Sequence, residues 1–126
     1  MKRLFLALAI LALPMAAMPV LTVVPAIAAA AQSKLGDLSA MRKIVADTLD
    51  MANAGNIKGA VKRITQYETA WDKNASRLQK LDKKTWNKLD EASDVALSTV
   101  RYPSSTPDEM KKDLTSLLAM LDNPSL

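Results

Sequence analysis

The chain has 126 residues, no cysteine and no histidine, and its 17 basic residues exceed its 13 acidic ones to give a net charge of +4. The missing cysteine rules out a disulfide framework and a lipid anchor, and the missing histidine removes both the commonest general base and the commonest transition-metal ligand. No enzyme is therefore expected, and no catalytic residue, metal ligand or cofactor is assigned.

Residues 1–30 have the three regions of a signal peptide. Lys2 and Arg3 precede the apolar core Leu4 to Leu13, and small residues then run from Ala26 to Ala31. Cleavage is expected near Ala28 to Ala31, which makes the protein periplasmic or secreted. The rival is a membrane anchor, since Leu4 to Ala31 carries no charge and is long enough to cross a bilayer core of roughly 30 Å. Pro14, Pro19 and Pro25 argue against it, because each removes a helical hydrogen bond.

Residues 31–126 are long enough for one modest domain, at about 95 residues. Setting Lys2 and Arg3 aside leaves 15 basic residues against 13 acidic, read as alternating along the chain without a basic patch. That balance speaks against a nucleic-acid partner. A membrane is met only through the signal segment if it stays uncleaved. The partner is unknown, with an envelope protein as the class such a chain would encounter.

Four amphipathic helices follow in chain order, and no segment alternates as a strand would. The first covers about residues 35 to 54, with Leu38, Met41, Val45, Leu49 and Ala52 at helical spacing. Gly55 ends it and Asn56 caps the second, about 57 to 80, whose stripe is Ile57, Val61, Ile64, Trp71, Ala75 and Leu78. Asp82 caps the third, about 83 to 101, with Trp86, Leu89, Ser93, Ala96, Leu97 and Val100 inward. Thr106-Pro107-Asp108-Glu109 has the pattern of a capping box with proline in the first helical position. It opens a fourth helix striped by Met110, Leu114, Leu117, Leu118 and Leu121 and ended by Asn123-Pro124. The short connections predict an all-α, antiparallel, up-down-up-down four-helix bundle.

Glu68 is the residue that fits this pattern least. On a wheel with Ile57 at zero, Val61 falls at about 40°, Ile64 at about −20°, Trp71 at about −40° and Glu68 at about 20°. A carboxylate is thus placed within the apolar stripe, where it needs a partner, water or a raised pKa. Antiparallel pairing sets Glu68 opposite residues 94–96 and Asp72 opposite 90–92. A buried cluster of Glu68, Asp72, Asp90 and Asp94 with Arg101 as its neutralising arm follows. Clustered carboxylates suit a hard cation or a ligand between two helices. The simpler reading is an ion-pair network that fixes helix register, and it is preferred. Trp71 and Trp86 are read as core anchors, and Lys80, Lys83, Lys84 and Lys88 as a solvated corner, with an anionic surface as the weaker alternative.

The pattern Glu68-x-x-Trp71-Asp72, then Trp86-x-x-x-Asp90, Arg101 and a proline-capped last helix, resembles a group of small bacterial exported all-helical proteins. The likeness includes the Ala54-Gly55-Asn56 turn and covers most of residues 35 to 121. It implies an exported helical protein and supplies no mechanism. A histidine-kinase role, a label found on such sequences, does not fit a chain with no histidine to phosphorylate. The function expected is a periplasmic binding or accessory protein. The alternative is a structural or stress-related helical module acting by protein contact without a ligand site.

Overall fold

The starts of α2, α3 and α4 and the end of α1 fall at residues that account for them. The computed structural model describes residues 34–125 and places α1 at Ser39–Asn53, α2 at Ile57–Leu81, α3 at Lys83–Arg101 and α4 at Pro107–Asp122. The expected signal segment lies outside the described residues. Gly55, at φ 75°, takes the left-handed turn after α1, and the Asn56 side chain accepts the Gly59 amide at 3.0 Å to start α2. Asp82 alone joins α2 to α3: its backbone amide closes the last turn of α2 on Leu78, and its carboxylate accepts the Thr85 amide. At α4, Glu109 accepts the Thr106 amide at 2.7 Å and Thr106 accepts the Glu109 amide at 3.2 Å, so the capping box forms in both directions.

One boundary differs. The first helix begins at Ser39 and not near Leu35, because Gly36 adopts φ 78° and Asp37 accepts the Ser39 amide at 2.9 Å. The strand of chain before α1 is still core, since Leu35 is fully buried.

Neighbouring helices pack α1 on α2, α2 on α3 and α3 on α4, and α4 closes the ring on α1, while diagonal helices do not approach. The result is the antiparallel four-helix bundle that the stripes predict. Its core holds Val45, Ile64, Tyr67, Leu78, Leu89, Leu114 and Leu117, all fully buried. Each such side chain contributes roughly 1.5–3 kcal/mol through removal from water.

The stripes of α1, α3 and α4 are buried nearly as predicted, and that of α2 is right in period but shifted in phase. On α1, Thr48 is fully buried beside Val45 while Leu49 is only partly buried; the Thr48 hydroxyl is satisfied by donating to the Ile44 carbonyl at 2.8 Å. On α2, Ala60 and Tyr67 are buried while Ile57, Val61 and Ala75 lie at the margin. Trp86 and Leu118 are also marginal. The shift on α2 decides the environment of Glu68.

Candidate functional site

The seam between α2 and α3 carries most of the polar chemistry. Ala60, Ile64, Tyr67, Trp71 and Leu78 centre the buried face of α2 at about −50° on the wheel used above, so Glu68 stands roughly 70° away, on the rim. Tyr67, which the apolar pattern omits, turns the helix because its ring buries more apolar surface than Val61 while its hydroxyl finds a partner. Ser93 Oγ donates to the Leu89 carbonyl at 2.6 Å. Its single hydrogen is thereby used, so the Tyr67 hydroxyl must donate to Ser93 Oγ across the 2.7 Å contact.

Beside this relay, Trp71 Nε1 donates to Asp90 Oδ1 at 2.8 Å. The indole lies between Tyr67, with ring centroids 6.1 Å apart, and Trp86, at 6.2 Å with planes only 5° from parallel. These offset stacks hold α2 against α3. Trp86 Nε1 is enclosed and has no hydrogen-bond partner among the described residues, a feature with no physical account in the packing.

Nearer the rim, Arg101 grips Glu68 with both guanidinium nitrogens, Nη2 to Oε2 at 2.5 Å and Nη1 to Oε1 at 3.2 Å, and Nη2 also donates to Thr65 Oγ1 at 3.1 Å. The Arg101 hydrogen bonds hold the Glu68 carboxyl below the usual carboxylate range. The pairing of these two residues is the one sequence reading had in mind, but the site is not buried: their side chains are 36% and 38% exposed.

The remaining members do not join them. Asp90 is committed to the indole, and Asp72 and Asp94 point to solvent. Among the described residues no three acidic side chains converge into a metal-sized group. The proposed buried cluster of four carboxylates is therefore corrected to two separate contacts and two solvated aspartates. A carboxylate without a donor or cation is far cheaper left in water, and across this seam the only carboxylate that the Trp71 indole reaches is Asp90 and the only one that the Arg101 guanidinium reaches is Glu68.

The exposure also corrects the expected energetics. Full burial of the Glu68–Arg101 pair would make Glu68→Ala cost several kcal/mol; at this exposure the loss should be about 1 kcal/mol at low ionic strength, shrinking as salt rises. Because the folded carboxyl titrates below its ordinary value, this contribution is present above that value and fades as pH falls through the lowered one. Chelator and added calcium, magnesium, manganese or zinc should leave the melting point unchanged. Urea titrations and thermal melts of both proteins check this, and a loss above about 3 kcal/mol would restore the buried reading.

The other seams have one rim contact each. Arg63 bonds Asp47 at 2.6 Å between α2 and α1, Thr99 donates to Asp113 at 2.6 Å between α3 and α4, and Arg42 pairs with Asp122 between α1 and α4. The preferred reading of the Glu68 site as register-fixing fits this arrangement.

A separate cleft of about 460 Å³ opens where α3 passes into α4. Ser98 and Thr99, the turn residues Tyr102, Ser104 and Ser105, and Glu109, Lys112 and Asp113 of α4 line it. Glu109 is spent on the helix cap and Asp113 on Thr99. The hydroxyls of Ser98, Ser104 and Ser105, the Lys112 ammonium and the ring of Tyr102, which is 64% exposed, have no such duty. Together they can bind an acceptor-bearing group through Lys112 and the serines while the tyrosine covers an apolar or planar part. Sequence reasoning passed over this turn because it carries no acid–base pattern. Its signal is an aromatic and two serines around Pro103, in the longest connection between helices.

Comparison with protein-family models, with curated proteins and with solved structures finds no match for this chain. Its own residues are accordingly the ground for a functional reading.

Proposed function

We propose that this chain is an exported, non-enzymatic binding or accessory protein of the periplasm, and that its ligand is a small polar molecule held in the α3–α4 cleft. The observation that carries the reading is the cleft itself. Its three serine hydroxyls and an exposed aromatic face are not used by the fold, the Lys112 ammonium beside them acts only on the charge of the capping Glu109, and the capped start of α4 and Pro103 keep them in place before any ligand arrives. A concavity with an aromatic face and a few convergent polar groups is the form a small-molecule site takes, and here the polar groups predominate, which is why a polar ligand is proposed. Export rests on the signal pattern of residues 1–30 and on the resemblance to small exported helical proteins.

Native mass spectrometry of the chain purified from its own envelope fraction tests this. The expected result is a bound small mass that is lost from a Tyr102→Ala, Lys112→Ala double variant. Bare chain, or chain held only to another protein, would instead favour the contact module. That second reading has one observation in its favour: Val95 on α3 and Tyr102 just past its end are large apolar side chains left 48% and 64% exposed.

A further inference from the structure

The charges do not alternate evenly once the chain is folded. Between residues 73 and 88 the sequence carries Lys73, Arg77, Lys80, Lys83, Lys84 and Lys88 against Asp82 alone, whereas the rest of residues 34–125 has nine basic and twelve acidic side chains. The turn at Asp82 folds this segment back on itself, so its lysines gather at one end of the bundle. Lys80, Lys83 and Lys84 are exposed and form no ion pair among the described residues. The carboxylates at this end are occupied: Asp82 accepts the Thr85 amide at 3.2 Å and its hydroxyl at 2.8 Å, Asp37 accepts the Ser39 amide, and Asp122 pairs with Arg42.

Two further features mark this end. Leu81, at the tip between Lys80 and Lys83, is 49% exposed and is one of only three large apolar side chains so exposed among the described residues. The antiparallel ring also brings the start of α1 here, beside the end of α2, and Lys34 is close enough to Asp82 to act on its charge.

We infer that the α2–α3 end of the bundle docks on a membrane surface bearing anionic lipid headgroups, with Lys80, Lys83 and Lys84 meeting the phosphates and Leu81 entering the interface. The charge is of the right sign and concentrated at one pole, and the acidic remainder orients the molecule by being repelled. A leucine at the apex serves a lipid interface, which has an apolar layer just below its phosphates; a nucleic-acid backbone offers it nothing. Such docking would add a second membrane contact to the one expected of the N-terminal segment. The docking surface lies at the opposite end from the α3–α4 cleft, so it stands or falls independently of the ligand reading.

Co-sedimentation of the full chain with vesicles tests it. Phosphatidylcholine vesicles measure whatever the apolar N-terminal stretch contributes, and vesicles with added phosphatidylglycerol measure the charge-dependent part. Each lysine near an anionic surface is worth roughly fivefold in partitioning, so removing three should reduce the phosphatidylglycerol-dependent binding on the order of a hundredfold. The variant Lys80→Glu, Lys83→Glu, Lys84→Glu should lose at least that much, and added salt should abolish the preference in wild type. The matched variant Lys58→Glu, Lys62→Glu, Lys111→Glu changes net charge equally at exposed positions away from this end and should retain most of the binding. Circular dichroism of each variant confirms folding, which the exposed positions favour. Equal binding to both vesicle types, equal losses in the two variants, or retention by soluble polyphosphate without retention by vesicles would overturn the inference.

Discussion

Trp71→Ala should lower the unfolding free energy by about 3–5 kcal/mol, the range for truncating a large aromatic in a packed core. Trp71 is 3% exposed and is the middle ring of the Tyr67–Trp71–Trp86 stack, so its removal opens a cavity against two other rings. It also deprives Asp90 of its indole donor at a partly buried position, which adds a desolvation cost to the lost contacts. Trp71→Phe should recover much of the packing and none of the hydrogen bond, placing it between the two. Urea unfolding followed by circular dichroism reads the difference, since one of the two tryptophans is absent from the variant. A loss for Trp71→Ala below about 1 kcal/mol would mean that the stack is incidental to the fold.

Ser93→Ala is expected to be worse than its size suggests. The serine is 1% exposed, and its oxygen is the acceptor for the Tyr67 hydroxyl, which lies in a fully buried side chain. Deleting that oxygen leaves a phenolic O–H with no partner, a cost of about 1–3 kcal/mol. Tyr67→Phe is milder, because Ser93 keeps its bond to the Leu89 carbonyl. The double variant Tyr67→Phe, Ser93→Ala removes both groups and should recover most of the loss from Ser93→Ala alone; simple addition of the two single effects would mean that the two hydroxyls are not coupled. The same residues set the alkaline limit. Burial pushes the Tyr67 phenol well above its ordinary value of 10.0, so the unfolded chain ionises first and stability declines as pH rises above that value. Tyr67→Phe should flatten that decline.

These two effects sit where sequence reading was weakest. Helix limits at Gly55, Asn56, Asp82 and Thr106-Pro107 were legible because each residue does a local job: a positive φ, an amide acceptor, a fixed ring. The Glu68–Arg101 pairing was legible too, since antiparallel register follows from a turn whose position is visible. What could not be read was the phase of α2. Leaving Tyr67 out of the stripe centred it near Ile57 and moved Glu68 inward by about 40°. A phenol is apolar over its ring and polar at one atom, and only the presence of Ser93 on the facing helix determines that the atom can be buried. The α3–α4 cleft was invisible for a related reason: its serines, tyrosine and lysine belong to different elements, and nothing in their spacing announces that a turn brings them together.

The single residue between α2 and α3 has a kinetic consequence. Asp82 ends one helix and starts the next, so these two helices meet after the shortest loop closure in the chain. Their seam holds the aromatic stack and the tyrosine–serine relay, contacts separated by only 15 to 26 residues. The Arg42–Asp122 pair between α1 and α4 spans 80 residues and closes the ring. The α2–α3 hairpin is thus expected to be structured in the folding transition state, with α1 docking on α4 last. Substitutions at Trp71 should then slow folding, and substitutions at Arg42 should chiefly speed unfolding.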